Sequence, residues 1–442
     1  MMKVDKKPVP ISTLINQKKS AMKKAIFKIF SLLLVFAKIS SVAGQDTLPV
    51  MSLSEVISTV EASYPDILKF ESKILAVRAS VEGARAWMPP TISAGPEQFF
   101  YNPVMLGDET PMNRAGITVS IEQMIPNPWK LDAKQNYLQS LEAIEGNKME
   151  WTKNTFRLYA RQLYYQRAVA ERTLRLVQEN RELLNMLIKT SEAKYPYNQS
   201  DLGSIFKAKA KLEELTNMET MLWANIAESS IGLNALMNRD VNMSFSIDTT
   251  VVPKPYETGL PPTADFALRR SDILTMQSTI ESMRLDRERM WAERKPDFGI
   301  RFSHMQMFNM PPQYSIMGMM TIPIAPWASK MYKSEVKSMD FQIRAMTQEK
   351  EGMQLMATRM INEKLAMLKF AKQQLANYET GIIPAYEQNF EANLLAYKQN
   401  TGNLFVLLDS WEMLLMKQME FYSKLLEVLQ LEAGYEYETE IK

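Results

Sequence analysis

Six methionines, Met305, Met307, Met310, Met317, Met319 and Met320, fall within sixteen residues of a chain that holds 33 methionines, one histidine and no cysteine. Thioether sulfur is a soft ligand suited to Cu(I) or Ag(I), and a flexible surface lined with it can pass such ions along. The same side chain is an adaptable apolar filler, which is the simpler reading both of this cluster, since it falls on predicted strands and a loop, and of Met353, Met356 and Met360 at helical spacing. His304 adjoins the cluster, yet a lone histidine without cysteine leaves no ordinary zinc site. No glycine-rich phosphate loop, nucleophile elbow or cluster of hard metal ligands stands elsewhere, so neither a cofactor nor an enzyme is expected.

The elements that would carry these residues are unusual. From Trp129 to Lys194 the chain contains no proline and a single glycine, and from Ala328 to Gly381 it nearly repeats this. At about 1.5 Å of rise per residue, the first run alone predicts a rod on the order of 100 Å long. Phe156, Tyr159 and Leu163, then Leu174, Val177, Leu184 and Leu187, then Met353, Met356, Met360 and Met367 follow coiled-coil spacing. Leu404, Leu408, Trp411, Leu415, Tyr422, Leu425 and Leu429 continue it on a returning helix. Such seams pack helix on helix.

Before each rod the period changes to two. Ile117, Val119 and Ile121 alternate with Thr118, Ser120 and Glu122; Phe298, Ile300 and Phe302 alternate with Asp297, Gly299, Arg301 and Ser303. That pattern suits a transmembrane barrel, apolar toward lipid and polar toward a lumen, and also a half-buried sheet in a soluble domain. Strands beside rods of this length lack a partner layer, which favours the barrel. Phe99, Phe100, Tyr101, Phe308, Tyr314 and Trp327 bracket these strands, as rings at a membrane interface do and as rings at ordinary sheet edges equally do.

The order of elements repeats. A first repeat spans residues 45–251, with a helix, a strand pair over about 91–124 and a helical hairpin over about 129–238. A proline-rich joint covers 252–263. A second repeat spans 264–442, with a helix, a strand pair over about 297–322 and a hairpin over about 328–434. The hairpin turns fall at 195–202 and 397–404. Four strands cannot close a barrel, since single-chain barrels need at least about eight, so the chain must oligomerise. Three copies would supply twelve strands, and the residues alone leave other multiples open.

Lys23, Lys24 and Lys28 precede the apolar stretch Ile29 to Ala37, and Ser41-Val42-Ala43-Gly44 offers a cleavage site. Residues 1–44 therefore read as a secretory signal, with Met22 as the more ordinary start and 1–21 as a misassigned extension. No later stretch of about 18 apolar residues predicts a membrane helix. With 52 basic and 50 acidic residues there is no electrostatic case for nucleic acid.

Gly381-Ile382-Ile383-Pro384-Ala385 through Ala396-Tyr397 to Leu407-Leu408-Asp409-Ser410 resembles a pattern of the TolC family of outer-membrane efflux channels. Leu233-Asn234-Ala235-Leu236-Met237-Asn238-Arg239 is similar to the stretch that ends that family's first repeat, and Leu53-Ser54-Glu55-Val56-Ile57 to its opening helix. The heavy-metal branch typified by CusC and CzcC looks closest. This resemblance implies an α+β membrane protein: a homotrimer whose twelve-stranded outer-membrane barrel continues into a long antiparallel α-helical coiled-coil tunnel through the periplasm of a Gram-negative bacterium. It implies passive conduction, a periplasmic adaptor protein, and an inner-membrane pump of the RND type. Residues Asn198, Gln199, Ser200, Leu202, Asn400, Thr401, Gly402 and Leu404 would form the adaptor-contacting tip. Asp409 matches an acidic position near the family's tip aperture, where a ring of carboxylates attracts cations and holds the gate. Val406 stands where some relatives carry a second acid, and Asp201 is the substitute. Capping or solvating a helix end is the plainer role for either carboxylate. Cargo stays open between metal cations such as copper or silver, drugs or detergents, and a secreted polypeptide. So does a soluble periplasmic coiled-coil scaffold.

Overall fold

The computed structural model describes residues 50–107, 114–197, 199–256, 263–308 and 310–441. The expected signal at 1–44, Asn198 and part of the proline-rich joint lie outside them. Met51–Met243 and Ile247–Lys442 form one compact unit, which carries the helices and the four-stranded sheet. Among the described residues no helix is long and apolar enough to cross a membrane.

Helix α1 (Leu53–Ser63) opens with a capping box, in which the Ser52 hydroxyl accepts from the Glu55 N–H and Glu55 returns the bond to the Ser52 N–H. Helix α2 (Pro65–Glu82) leads to strands β1 (Thr91–Glu97) and β2 (Gly116–Ile125). Helix α3 (Pro128–Lys194) then runs for 67 residues. It starts where it does because the Asn127 side chain accepts from the Trp129 N–H at 3.1 Å and Pro128 occupies a first-turn position that needs no donor. Helix α4 (Leu202–Leu236) returns along it.

Helices α5 (Thr263–Arg269) and α6 (Ser271–Ala292) precede strands β3 (Phe298–Met307) and β4 (Gln313–Met320). Helix α7 (Pro326–Asn377) passes through a π-helical turn, Tyr378–Ile382, into α8 (Ile383–Lys398). The widened turn covers Thr380, the residue whose carbonyl the Pro384 ring would otherwise meet, so the helix carries its proline without stopping. Helix α9 (Leu404–Thr439) completes the order.

The seams lie where most of the spacing puts them. Leu174, Val177, Leu184 and Leu187 on α3, and Leu404, Leu408, Trp411, Leu415, Leu425 and Leu429 on α9, are all buried. Two expectations are corrected. Tyr159 is 47% exposed, because the inward face of α3 at that level is Arg157, Ala160, Arg161 and Tyr164. On α7, Met356 and Met367 are exposed and Met360 is half-buried, while Ala357, Leu368 and Ile361, each one residue further on, are buried. One residue is about 100° of helix, so the methionines flank the seam rather than form it.

Candidate functional site: the sheet and the helical tip

The four strands pair antiparallel in the order β1-β2-β3-β4, leaving β1 and β4 as open edges. Register places Ile117, Val119 and Ile121 on one face with Ile300 and Phe302 of β3, Ile92 of β1 and Ile316 of β4. Every one of these is at least 42% exposed, so nothing among the described residues covers the apolar face. Burying it in lipid or against another copy gains about 25 cal/mol for each Å² removed from water.

The opposite face is polar and ordered in rows. Ser93, Ser120, Ser303 and Ser315 stand side by side across all four strands. Ser93 and Ser120 share a hydrogen bond of 2.7 Å. In the next row Arg301 donates to Glu122 at 2.5 Å. The four serines and Arg301 line a cavity of about 500 Å³. The sheet is tied to the helices by Asn127, whose backbone N–H donates to Asp297 at 2.9 Å and whose amide donates to the Pro296 carbonyl. Lys130 pairs with Asp297 at 2.7 Å and Glu293 at 3.1 Å. Burial works against its charge, yet the two carboxylates outweigh it and hold Lys130 above its ordinary range.

The methionine cluster divides between the faces. Met305, Met307, Met317 and Met319 share the polar face with Ser303 and Arg301, Met320 pairs with Phe298 on the apolar one, and Met310 lies in the hairpin between β3 and β4. His304, paired with Val119 and Tyr314, is also on the apolar face, away from those thioethers. Among the described residues no group of three His, Asp or Glu side chains suits a metal ion.

At the far end of the helices the two turns come together. Val177, Leu184, Leu187 and Ile188 of α3, Ile205, Ala208 and Leu215 of α4, Tyr397 of α8, and Leu404, Leu407, Leu408 and Trp411 of α9 share one buried core. The Ser191 and Tyr397 hydroxyls are 2.7 Å apart within it. Asn400 reverses the chain with a φ of 57°, and both Thr401 and Gly402 donate to the Ala396 carbonyl. Trp411 is fixed by donating its indole N–H to Asn180 at 2.8 Å.

Asp201 caps α4, its carboxylate accepting from the Ser204 N–H at 2.9 Å and from the Ser204 hydroxyl. Those bonds, the backbone one first, hold its carboxyl below the usual range. Asp409 is exposed on α9, whereas Leu407, Leu408, Ser410 and Trp411 around it are buried, so it points off the seam. Gln199, Leu202, Asn400, Thr401 and Gly402 are exposed and Ser200 is half-buried. Leu404 is not a surface group: at 2% exposure it belongs to the core, because Asn403 caps α9 and turns the first helical residue inward. In the first turn of α9 the exposed apolar groups are instead Phe405 and Val406, with Lys207 lying 4.1 Å over the Phe405 ring.

A third feature has no signature in the sequence. Near the end of α9, buried Glu436 meets Arg161 of α3 at 2.8 Å and Lys254 at 2.5 Å, and Glu432 meets Lys372 of α7 at 3.0 Å. Arg270 joins Asp272 and Glu438, while Ser271 donates to Glu440. Burial pushes the Glu432, Glu438 and Glu440 carboxyls up despite these partners. The partners are scattered from Arg161 to Glu440, which is why periodicity could not reveal them.

Neither a protein-family model nor a curated protein sequence matches the chain. Solved structures do. The outer-membrane channel OprN aligns with a TM-score of 0.70 at 12% identity, over 88% of this chain and 89% of that one. CusC, described for the conformational changes that accompany folding and transmembrane channel formation, aligns with a TM-score of 0.71 at 12% identity, over 90% and 94%. The outer-membrane protein VceC of Vibrio cholerae aligns with a TM-score of 0.67 at 14% identity, over 88% and 95%. The chain has the fold of the outer-membrane channels. That is the fold the resemblance to the TolC family implies.

Proposed function

We propose that the protein is the outer-membrane exit duct of a three-component efflux system, a passive conduit rather than an enzyme. One observation carries this reading: a sheet whose apolar face is exposed on every strand and whose two edges are unpaired, set on helices on the order of 100 Å long. In lipid an open edge is not tolerated, so copies must pair edge to edge. Three copies close a twelve-stranded barrel, and the polar rows of the sheet then face its lumen. The matching element order of the two halves supports an internal duplication, and the long helices would form the periplasmic tunnel.

The two turns at Tyr195–Leu202 and Tyr397–Leu404 are then the periplasmic tip, where an adaptor protein and, beyond it, an RND-type inner-membrane pump would engage. Exposed Asp409, one per copy, is the favoured gate carboxylate. Asp201 is better explained as a helix cap. The cargo we favour is a soft metal cation such as copper or silver, on the strength of thioethers that stand on the polar face.

The test is a strain deleted for this gene, challenged with copper, silver, zinc, cobalt and amphiphilic drugs, together with fractionation of the native protein. Recovery in detergent-extracted outer membrane, with metal accumulation in the deletion strain, is the expected result. Recovery in the soluble periplasm would overturn the duct, and sensitivity to drugs alone would overturn the cargo.

A further inference from the structure

On a polar sheet face, an apolar side chain is the exception that asks for a reason. Met320 packs beside Phe298 on the apolar face and needs none. Met124 of β2 and Met319 of β4 are different: both are half-buried on the polar face, and each is directly paired with Gly299 of the strand between them. Next-nearest strands lie roughly 10 Å apart, too far for two side chains to meet over an intervening side chain. Gly299 removes that obstacle. The Met124 sulfur comes within 2.5 Å, and the Met319 terminal methyl within 3.2 Å, of the point where a Cβ on residue 299 would stand. Met317 stands two residues from Met319 on the same face, paired with Arg301 and 46% exposed.

We infer that Met124 and Met319, converging over Gly299 with Met317 beside them, form a thioether site for a monovalent soft cation on the lumen face of the sheet. Two or three sulfur donors suit Ag(I) or Cu(I), which tolerate low coordination numbers, and do not suit Mg²⁺, Ca²⁺ or Zn²⁺. Methionine carries no titratable proton, so affinity is flat across pH 5 to 8, whereas a site of histidine or cysteine strengthens as its ligands deprotonate. His304, on the opposite face, takes no part. Gly299 serves the site as an open floor.

The inference rests on the metal-cargo reading, and its test separates the two. Silver nitrate is titrated calorimetrically into the full chain, purified in detergent in a halide-free buffer, at pH 5.5 and pH 7.5. The expected result is binding of equal strength at both, weakened at least tenfold in Met124→Leu/Met319→Leu and unaffected in Met320→Leu. Gly299→Ala, whose backbone suits alanine, weakens it as well by filling the floor. Circular dichroism and gel filtration confirm that each variant folds and assembles as the parent does. Silver binding that survives the double substitution overturns the site, as does binding that strengthens from pH 5.5 to 7.5. Binding as expected without silver sensitivity in the deletion strain upholds the site and overturns the cargo; sensitivity without binding does the reverse.

Discussion

Lys194, the last residue of α3, donates to the side-chain oxygen of Asn400 at 2.7 Å across 206 positions of sequence. The same ammonium donates to the Tyr397 carbonyl at 3.1 Å and lies 4.3 Å over the Tyr397 ring. One flexible side chain therefore ties the turn of the first helical hairpin to that of the second.

Lys194→Ala is expected to cost about 1 kcal/mol, the scale of hydrogen bonds and a cation–π contact made near solvent. Its larger effect should be functional. In planar bilayers the variant should open more often than the parent, and an unchanged open probability would detach this tie from gating.

Asp409→Ala tests the gate role proposed for this carboxylate. The expected outcome is a weaker preference for cations in single-channel recordings, with the melting temperature unchanged because the side chain is exposed.

The shared core beneath the turns should be far less tolerant. Trp411 is 2% exposed and holds Asn180, so Trp411→Ala is expected to destabilise by about 3 to 5 kcal/mol, read by denaturant unfolding. Phe405→Ala, on the exposed side of the same helix, should cost far less.

The two sheet faces predict opposite responses to charge. Ile121→Arg places a cation on the apolar face and should impair insertion by about 2 to 4 kcal/mol if the strand lies at mid-bilayer. Ser120→Arg, one residue away on the polar face, should insert normally. Fractionation of both variants decides the matter; equal recovery in the outer membrane would refute the assigned faces.

The buried Glu432 and Glu438 carboxyls and the half-buried Glu440 at the end of α9 set a pH dependence. Their folded-state pKa values lie above the ordinary range, so the stability they contribute is full below the unfolded value of about 4.3 and is lost as pH rises through the folded values. Relative to Glu440→Gln, the parent should therefore lose melting temperature as pH rises from 4 toward neutrality. Asp201 works in the opposite sense: its depressed pKa gives stability present above the ordinary Asp value and lost on acidification through the folded one.

Much of this was legible from spacing alone. The period of two around Val119 and Ile300 places the strands and their faces, and the proline-free run after Trp129 places the long helix, because burial on one side is what imposes a period. The α7 seam was misread by one residue, since Met356 and Ala357 are both apolar and only the neighbouring helices decide which is inside. The roles of Leu404 and Asp201 depended on capping geometry, in which one residue decides between core and solvent. The convergence over Gly299 was invisible for another reason: it needs the register of three strands, and Met124 lies far from the methionines it joins.

The open edges of β1 and β4 also bear on inheritance. In the proposed trimer each copy would lend both of its edges to neighbours, so a single defective sheet would leave two seams of the closed ring unmade. If parent and edge-disrupted chains are made in equal amounts and mix freely, only about one trimer in eight is wholly sound. An edge variant should therefore act as a dominant poison, silencing a duct whose other two chains are intact.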